Sequence, residues 1–202
     1  MKLSNPVRST GYSQSKLFRN LIMFKLRTFS RFVKLVLPLL LMASFSQIGF
    51  CQDPLVIFLV RHAEKVDNSD DPPLSPTGNA RANTLASMLA DAKIQYLHST
   101  DYIRTKKTAS PLGEKSNLKV DLYNAGDLPA LVKKLKGQGG RHLVVGHSNT
   151  TPNLVKLLGG EDGSKINDKE YDRLYILTFF KNEEISTVMM RYGDPFESIS
   201  QR

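Results

Sequence analysis

From residue 54 onward the chain alternates continuous apolar runs with stretches of helical periodicity. Residues 55–60 (LVIFLV) contain no polar position, the mark of a strand covered on both faces. Shorter strand-like runs lie at 94–98, 118–122 and 141–145. Between them, Ala82, Leu85, Leu89 and Ala92 recur at helical spacing over 79–92, and Leu131 and Leu135 do so over 128–135. Residues 103–112 read as a helix broken near Pro111. Residues 152–158 read as a helix with Pro152 in its first turn, Thr150 or Thr151 as cap, and Gly159 and Gly160 as its stop. Residues 174–180 and 185–191 alternate and carry β-branched or aromatic side chains, so with the 181–184 turn they predict a hairpin. Strands alternating with helices predict an α/β fold: a three-layer α/β/α sandwich on a mostly parallel sheet, one domain over residues 53–202.

The first 51 residues break the pattern. They hold eight basic residues and no acidic one. The apolar run 35–45 (LVLPLLLMASF) follows the basic stretch, and Gly49 and Cys51 supply small residues beyond it. That order is the one of a secretory signal, so residues 1–51 are expected to be a signal peptide or membrane-targeting segment and the domain to be exported, periplasmic or extracellular. The run is shorter than the roughly 20 apolar residues of a membrane span, and an uncleaved leader would be the domain's only tie to a membrane. Met23 is an alternative start. Cys51 is the only cysteine, with Phe50 before it a poor match to a lipidation site, and the mature domain has no disulfide of its own.

The leader also changes the meaning of the charge. The whole chain carries a formal +9, but from Gln52 onward there are twenty basic and nineteen acidic residues, a net of +1. No global attraction to nucleic acid remains, and any affinity for phosphate must come from a local cluster. Lys106, Lys107, Lys115 and Lys119 read as a solvated helix face. The acidic stretch 67–71 reads as a mobile rim that would disfavour highly anionic substrates if it lay beside a pocket.

Two histidines end strands. His62 follows the first and His147 the run 141–146, which is where open α/β sheets bind ligands. Gly146-His147-Ser148-Asn149-Thr150 lies between a strand and a helix like a serine-hydrolase elbow, but no histidine follows Ser148 in the chain, as that fold requires. His142 and His147 are five apart on one extended segment and would face opposite ways. Without a mature cysteine or an H-E-x-x-H pattern, neither a metal site nor any other cofactor is expected.

The segments around these histidines carry a resemblance. Arg61-His62-Ala63-Glu64-Lys65 is similar to the Arg-His-Gly or Arg-His-Ala tripeptide that ends the first strand in the histidine phosphatase superfamily (phosphoglycerate mutase-like, branch 1). In the same order follow Leu74-Ser75-Pro76-Thr77-Gly78, Ser99-Thr100-Asp101-Tyr102-Ile103-Arg104-Thr105, and Val144-Val145-Gly146-His147-Ser148, each resembling a segment of that family. The resemblance implies a phosphoglycerate mutase-like fold and a phosphatase acting on a small phosphorylated substrate. His62 would be the nucleophile forming a phosphohistidine. Arg61 and Arg104 would grip the phosphoryl oxygens, and a protonated His147 would add a donor in the transition state, its pKa raised by the phosphate itself. Thr77, Ser99 and Ser148 would donate further hydrogen bonds to phosphate or serve as turn and cap residues. The leaving-group acid is the weak match: Asp127 is the first candidate and Asp121 the second, with Glu64 and Asp101 behind them. The competing role for Asp127 is a helix cap. Alternatives are a non-catalytic phosphate binder on the same scaffold and a mutase-type phosphotransferase.

Overall fold

The computed structural model describes residues 54–182 and 184–196. The leader expected at 1–51, with Met23 and Cys51, lies outside the described residues. Among those described, no helix is long and apolar enough to cross a membrane.

The elements run β1 (Val56–Arg61), α1 (Pro76–Met88), β2 (Tyr96–Ser99), α2 (Ile103–Ser116), β3 (Val120–Leu122), α3 (Leu128–Gln138), β4 (Arg141–Gly146), α4 (Thr150–Leu158), β5 (Arg173–Phe179) and β6 (Ile185–Arg191). One sheet collects the strands in the order β3-β2-β4-β1-β5-β6. The first four in chain order pair in parallel, while β5 and β6 form the antiparallel hairpin at one side. From β1 to β3 the chain steps outward, and from β3 to β4 it turns back between β2 and β1. Right-handed crossovers then put α1 and α2 on one face and α3 on the other.

Alternation along β1 divides the core accordingly. Val56, Phe58 and Val60 pack with Leu85 of α1, with Leu89 just past its end, and with Ala109 and Leu112 of α2. Ile57 and Leu59 pack with Leu131 and Leu135 of α3 and Leu154 and Leu158 of α4. The three-layer sandwich with a mostly parallel sheet is therefore the observed fold.

Each helix differs from its expected bounds: α3 runs on to Gln138, α4 starts at Thr150 with Asn149 rather than a threonine at the cap position, and α1 and α2 are also shifted. α1 begins at Pro76, capped by Ser75, whose side chain accepts from the Gly78 N–H. Its start is set by chain packing as well: a Cβ on Gly78 would lie 2.1 Å from the Glu64 carbonyl oxygen, so only glycine lets the helix dock against the segment after β1. α2 passes through Pro111 and ends only at Ser116, with Asn117 in the left-handed region as cap. Proline removes one ladder bond, but Ala109, Leu112 and Gly113 on either side are buried, and that packing outweighs the local cost.

On the α3 face of the sheet lies a buried histidine pair. His98 and His142 are both fully buried, with His98 Nε2 3.0 Å from His142 Nδ1 and His142 Nε2 2.7 Å from the Gly139 carbonyl. The carbonyl accepts only, so His142 carries its proton on Nε2 and accepts from His98 through Nδ1. This hydrogen-bonded chain needs no charge on either ring. Burial, reinforced by the neighbouring ring, pulls His98 down to about 4, and burial lowers His142 as well.

A histidine whose folded pKa lies below its unfolded value binds fewer protons folded than unfolded in that interval. Stability is therefore complete above the unfolded value near 6.5 and should fall as pH drops toward 4, by a few kcal/mol for a fully buried ring. Denaturant midpoints at pH 7.5 and 4.5 measure this, and His98→Leu should flatten the dependence. A midpoint unchanged between the two pH values contradicts it.

Candidate active site

The site forms where β1 and β4 end side by side. Arg61 is in register with Gly146, and the His62 N–H continues the ladder to the Gly146 carbonyl at 2.9 Å. Gly146 is required there because a Cβ would meet the Thr150 and Thr151 hydroxyl oxygens at 2.8 and 3.0 Å. Thr150 Oγ1 then accepts from the His147 N–H, and the Thr151 N–H bonds the His147 carbonyl. These contacts fix the turn that carries His147 into α4.

The two imidazoles meet edge to face, their ring centroids 5.5 Å apart. His62 is only 4% exposed, and its Nδ1 lies 2.8 Å from the Ala63 carbonyl oxygen. A carbonyl cannot donate, so Nδ1 carries the proton and Nε2 keeps a free lone pair. On the other ring, His147 Nε2 lies 2.9 Å from Thr100 Oγ1, which lies 3.0 Å from Thr105 Oγ1. Thr105 points its single proton at the Thr100 and Tyr102 carbonyls. A proton in every contact requires Thr100 to donate to Thr105 and His147 Nε2–H to donate to Thr100.

Both rings are held neutral. Burial is the main cause, and the positive charges of Arg61 and Arg104 add to it: His62 is pulled down to about 3 and His147 to about 4. A protonated His147 therefore needs a negative charge brought beside it, as the sequence reading anticipated.

The guanidinium groups are positioned by carbonyls and aromatic faces. Arg61 is buried under the Tyr171 ring, 4.2 Å from its centroid, and its Nη1 donates to the Asn167 and Glu170 carbonyls at 2.9 and 3.0 Å. Burial lowers its pKa. Its Nε is buried and has no hydrogen-bond partner among the described residues. The Glu170 carboxylate, itself buried, binds Arg173 at 2.6 Å and the Asn167 N–H at 3.0 Å, which locks the loop holding Arg61. Arg104 lies over the Tyr102 ring at 4.3 Å and donates to the Asp70 carbonyl at 3.3 Å. One hydroxyl couples the two halves: Thr108 Oγ1 accepts from the Ala63 N–H at 3.0 Å and donates to the Arg104 carbonyl at 2.7 Å.

Arg61, His62, Arg104 and His147 are thus brought together as expected. The other expected residues are not. Asp127 caps α3, its Oδ1 accepting from the Ala130 N–H at 3.1 Å. Asp121 pairs with Lys134, Asp101 with Lys106, and Glu64 takes both oxygens to Arg81. All four carboxylates weighed as leaving-group acid are engaged elsewhere. Thr77 is exposed on the first turn of α1, and Ser99 is buried with its hydroxyl on the Thr100 carbonyl. Ser148 faces a cavity of about 470 Å³ between α4 and residues 162–168, shared with Asn149, Lys156 and Asp168. Asn149 also lines a second cavity with His147, Arg104 and Tyr102, so the two adjoin.

Tyr171 and Tyr102 are the residues that sequence reasoning missed. Tyr171 lies 5.8 Å from the His62 ring and Tyr102 5.2 Å from that of His147, so each imidazole and each arginine shares a tyrosine. Tyr102 stands in the 99–105 segment, but nothing in the sequence marks it as a platform for a guanidinium, and Tyr171 lies in a loop more than a hundred residues from His62. Among the described residues, no cluster of three or more metal-binding side chains forms.

Comparisons with known proteins bear on the fold. The family model of the histidine phosphatase superfamily (branch 1) matches residues 57–125. A structure of the protein histidine phosphatase SixA complexed with tungstate superposes with a TM-score of 0.55 at 18% identity, covering 67% of this chain and 96% of that one. A mycobacterial glucosyl-3-phosphoglycerate phosphatase gives 0.54 at 16%, covering 69% and 98%. A phosphoglycerate mutase from Bacillus anthracis gives 0.56 at 15%, covering 69% and 93%. At such identities the likeness is one of fold. No curated protein sequence matches the chain.

At pH 7, ring-nitrogen NMR should report His62 as the neutral Nδ1–H tautomer and His147 as the neutral Nε2–H tautomer. An imidazolium signal from either would contradict the assigned hydrogen bonds.

Proposed function

We propose that this chain, which carries the histidine phosphatase (branch 1) pattern on a phosphoglycerate mutase-like fold and so has a phosphatase-type or mutase-type function, is a phosphatase working through a phosphohistidine on His62. The observation that carries the reading is the bare Nε2 of His62, held by the Ala63 carbonyl on the opposite nitrogen and surrounded by Arg61, Arg104 and His147.

The chemistry follows from the charges. A phosphoryl dianion replaces water around the two guanidinium groups, and these hold its oxygens. Its arrival reverses the local field, so His147 takes up a proton and becomes a further donor to oxygens where charge gathers. The Nε2 lone pair attacks phosphorus in line, the N–P bond forms, and the bond to the leaving group breaks with its electron pair. Water then attacks the phosphohistidine, the N–P bond breaks, and inorganic phosphate is released.

The engaged state of Asp127, Asp121, Asp101 and Glu64 bears on the substrate. These four do not protonate the leaving group, so the reaction favours groups that depart readily or that lie within reach of Asp168, which lines the adjoining cavity. Phosphoramidates such as phosphohistidine and aryl phosphates are of the first kind. The cavity past Ser148 and Asn149 offers the leaving group its room. Within the same proposal the domain is exported by the basic and apolar leader at 1–51, and its partner is a small phosphorylated substrate.

Purified residues 53–202 should hydrolyse p-nitrophenyl phosphate without added metal, and the rate should survive chelation. Activity lost to a chelator and restored by zinc would sink the mechanism. His62→Ala should abolish turnover together with acid-labile phosphate labelling. Arg104→Ala should weaken phosphate binding by about 2 kcal/mol or more, the scale of leaving a charged partner unpaired. Labelling that persists in the His62 variant rules out its role as nucleophile.

A further inference from the structure

The loop between β1 and α1 reaches the phosphate site, and one of its carboxylates makes two contacts there that the reaction scheme does not use. The loop is closed at its base, where Lys65 bridges Leu74 and the Val66 N–H bonds the Pro73 carbonyl at 3.1 Å. Asp67 Oδ1 ties its tip, accepting from the Ser69 N–H at 2.9 Å and the Ser69 hydroxyl at 2.6 Å. Pro72 is buried, and a residue before proline is confined to extended backbone, which sets the direction of Asp71. The expected mobile rim is thus a tethered segment.

Asp71 Oδ1 accepts from the Ile103 N–H at 2.8 Å. Ile103 opens α2, and Tyr102 at the cap position makes no side-chain capping bond, so a carboxylate 32 residues earlier supplies the missing acceptor. The same oxygen stands 3.5 Å from Arg104 Nη1, the nitrogen that also donates to the Asp70 carbonyl. One arm of Arg104 is therefore committed to this loop. A negative charge at that distance also opposes a dianion bound to the same guanidinium.

Resting on the phosphatase reading of the site, we infer that Asp71 is a positioning residue that moderates phosphate affinity. It anchors the first turn of α2, aims Arg104 by one arm, and weakens the hold of the site on the phosphate dianion, so that product leaves. The side chain is 39% exposed, so solvent screens its charge and the effect is modest.

Asp71→Asn keeps an oxygen for the Ile103 N–H and removes the charge, and Asp71→Ser does the same with a shorter side chain. The readout is calorimetric binding of inorganic phosphate to the purified protein, with phosphate inhibition and KM for p-nitrophenyl phosphate measured alongside. Both variants should bind phosphate about threefold more tightly, as expected for losing a screened charge of this kind. KM should fall in step, kcat should not rise, and the melting temperature should stay near that of the unaltered protein. Asp101→Asn is the control: it removes a charge from the same region, one paired with Lys106, and should leave phosphate binding unchanged. Unchanged or weaker binding in both Asp71 variants overturns this inference alone, as does an equal gain in Asp101→Asn. Loss of fold in both would make Asp71 a cap and nothing more, which also overturns it. Failure of the unaltered protein to bind phosphate would overturn the reading of the site and this inference with it.

Discussion

The parallel pairing of β1 with β4 is the contact on which the rest of the site depends. The two strands run in register to their ends and close with the His62 N–H on the Gly146 carbonyl. That bond places residues 62 and 147 at neighbouring strand ends although 85 positions separate them. Any slip of one residue would turn every side chain of β1 to the other face of the sheet, exchanging its two sets of core contacts. The continuous burial of both strands, packed between helices on each face, is what forbids such a slip.

Convergence creates an electrostatic problem. Two guanidinium groups and two imidazoles gather where water is largely excluded, with no carboxylate against either imidazole. The fold meets the cost with acceptors that carry no formal charge: carbonyls of Asn167, Glu170 and Asp70, and the faces of Tyr171 and Tyr102. It also keeps both rings neutral. The net positive field then remains available to an anion. A carboxylate in place of those carbonyls would neutralise the field before any ligand arrived. Asp71 is the partial exception, near enough to Arg104 to orient it and exposed enough to leave most of its charge unspent.

Carboxylates elsewhere in the domain are used for architecture. Glu64 is bound to Arg81, which reaches on to the Tyr192 and Asp194 carbonyls and so clasps α1 to the end of the sheet. Glu170 and Asp172 share Arg191 while Glu170 also holds Arg173. These pairs keep the loop beneath Arg61 in one arrangement. Those acid groups are thereby drawn off into the scaffold, whereas Asp168 stands on the wall of the cavity beside the site.

Much of this was legible in the chain because its signals are local. Strand β1 announces itself by six consecutive apolar residues, α4 by Pro152 and its closing glycines, and His62 and His147 by their places at strand ends. Four short segments in order sufficed to name Arg61, His62, Arg104 and His147. Other features were not legible because their partners are distant and carry no sequence mark. A carbonyl oxygen is the same at every residue, so nothing in the chain says that Asn167 and Glu170 will hold Arg61. Nothing says whether Asp127 will face a substrate or cap a helix, since both need the same carboxylate after a turn. The run through Pro111 was misread for the same reason: local propensity argues for a break, and burial against β2 and its neighbours decides otherwise. The amino-acid sequence by itself determined which groups can do chemistry and on which strand ends they stand, because hydrophobic periodicity and short motifs are local properties. Only the tertiary structure decided their protonation, their spacing and which carboxylates remain free, because burial and charge are set by residues brought together from the whole length of the chain.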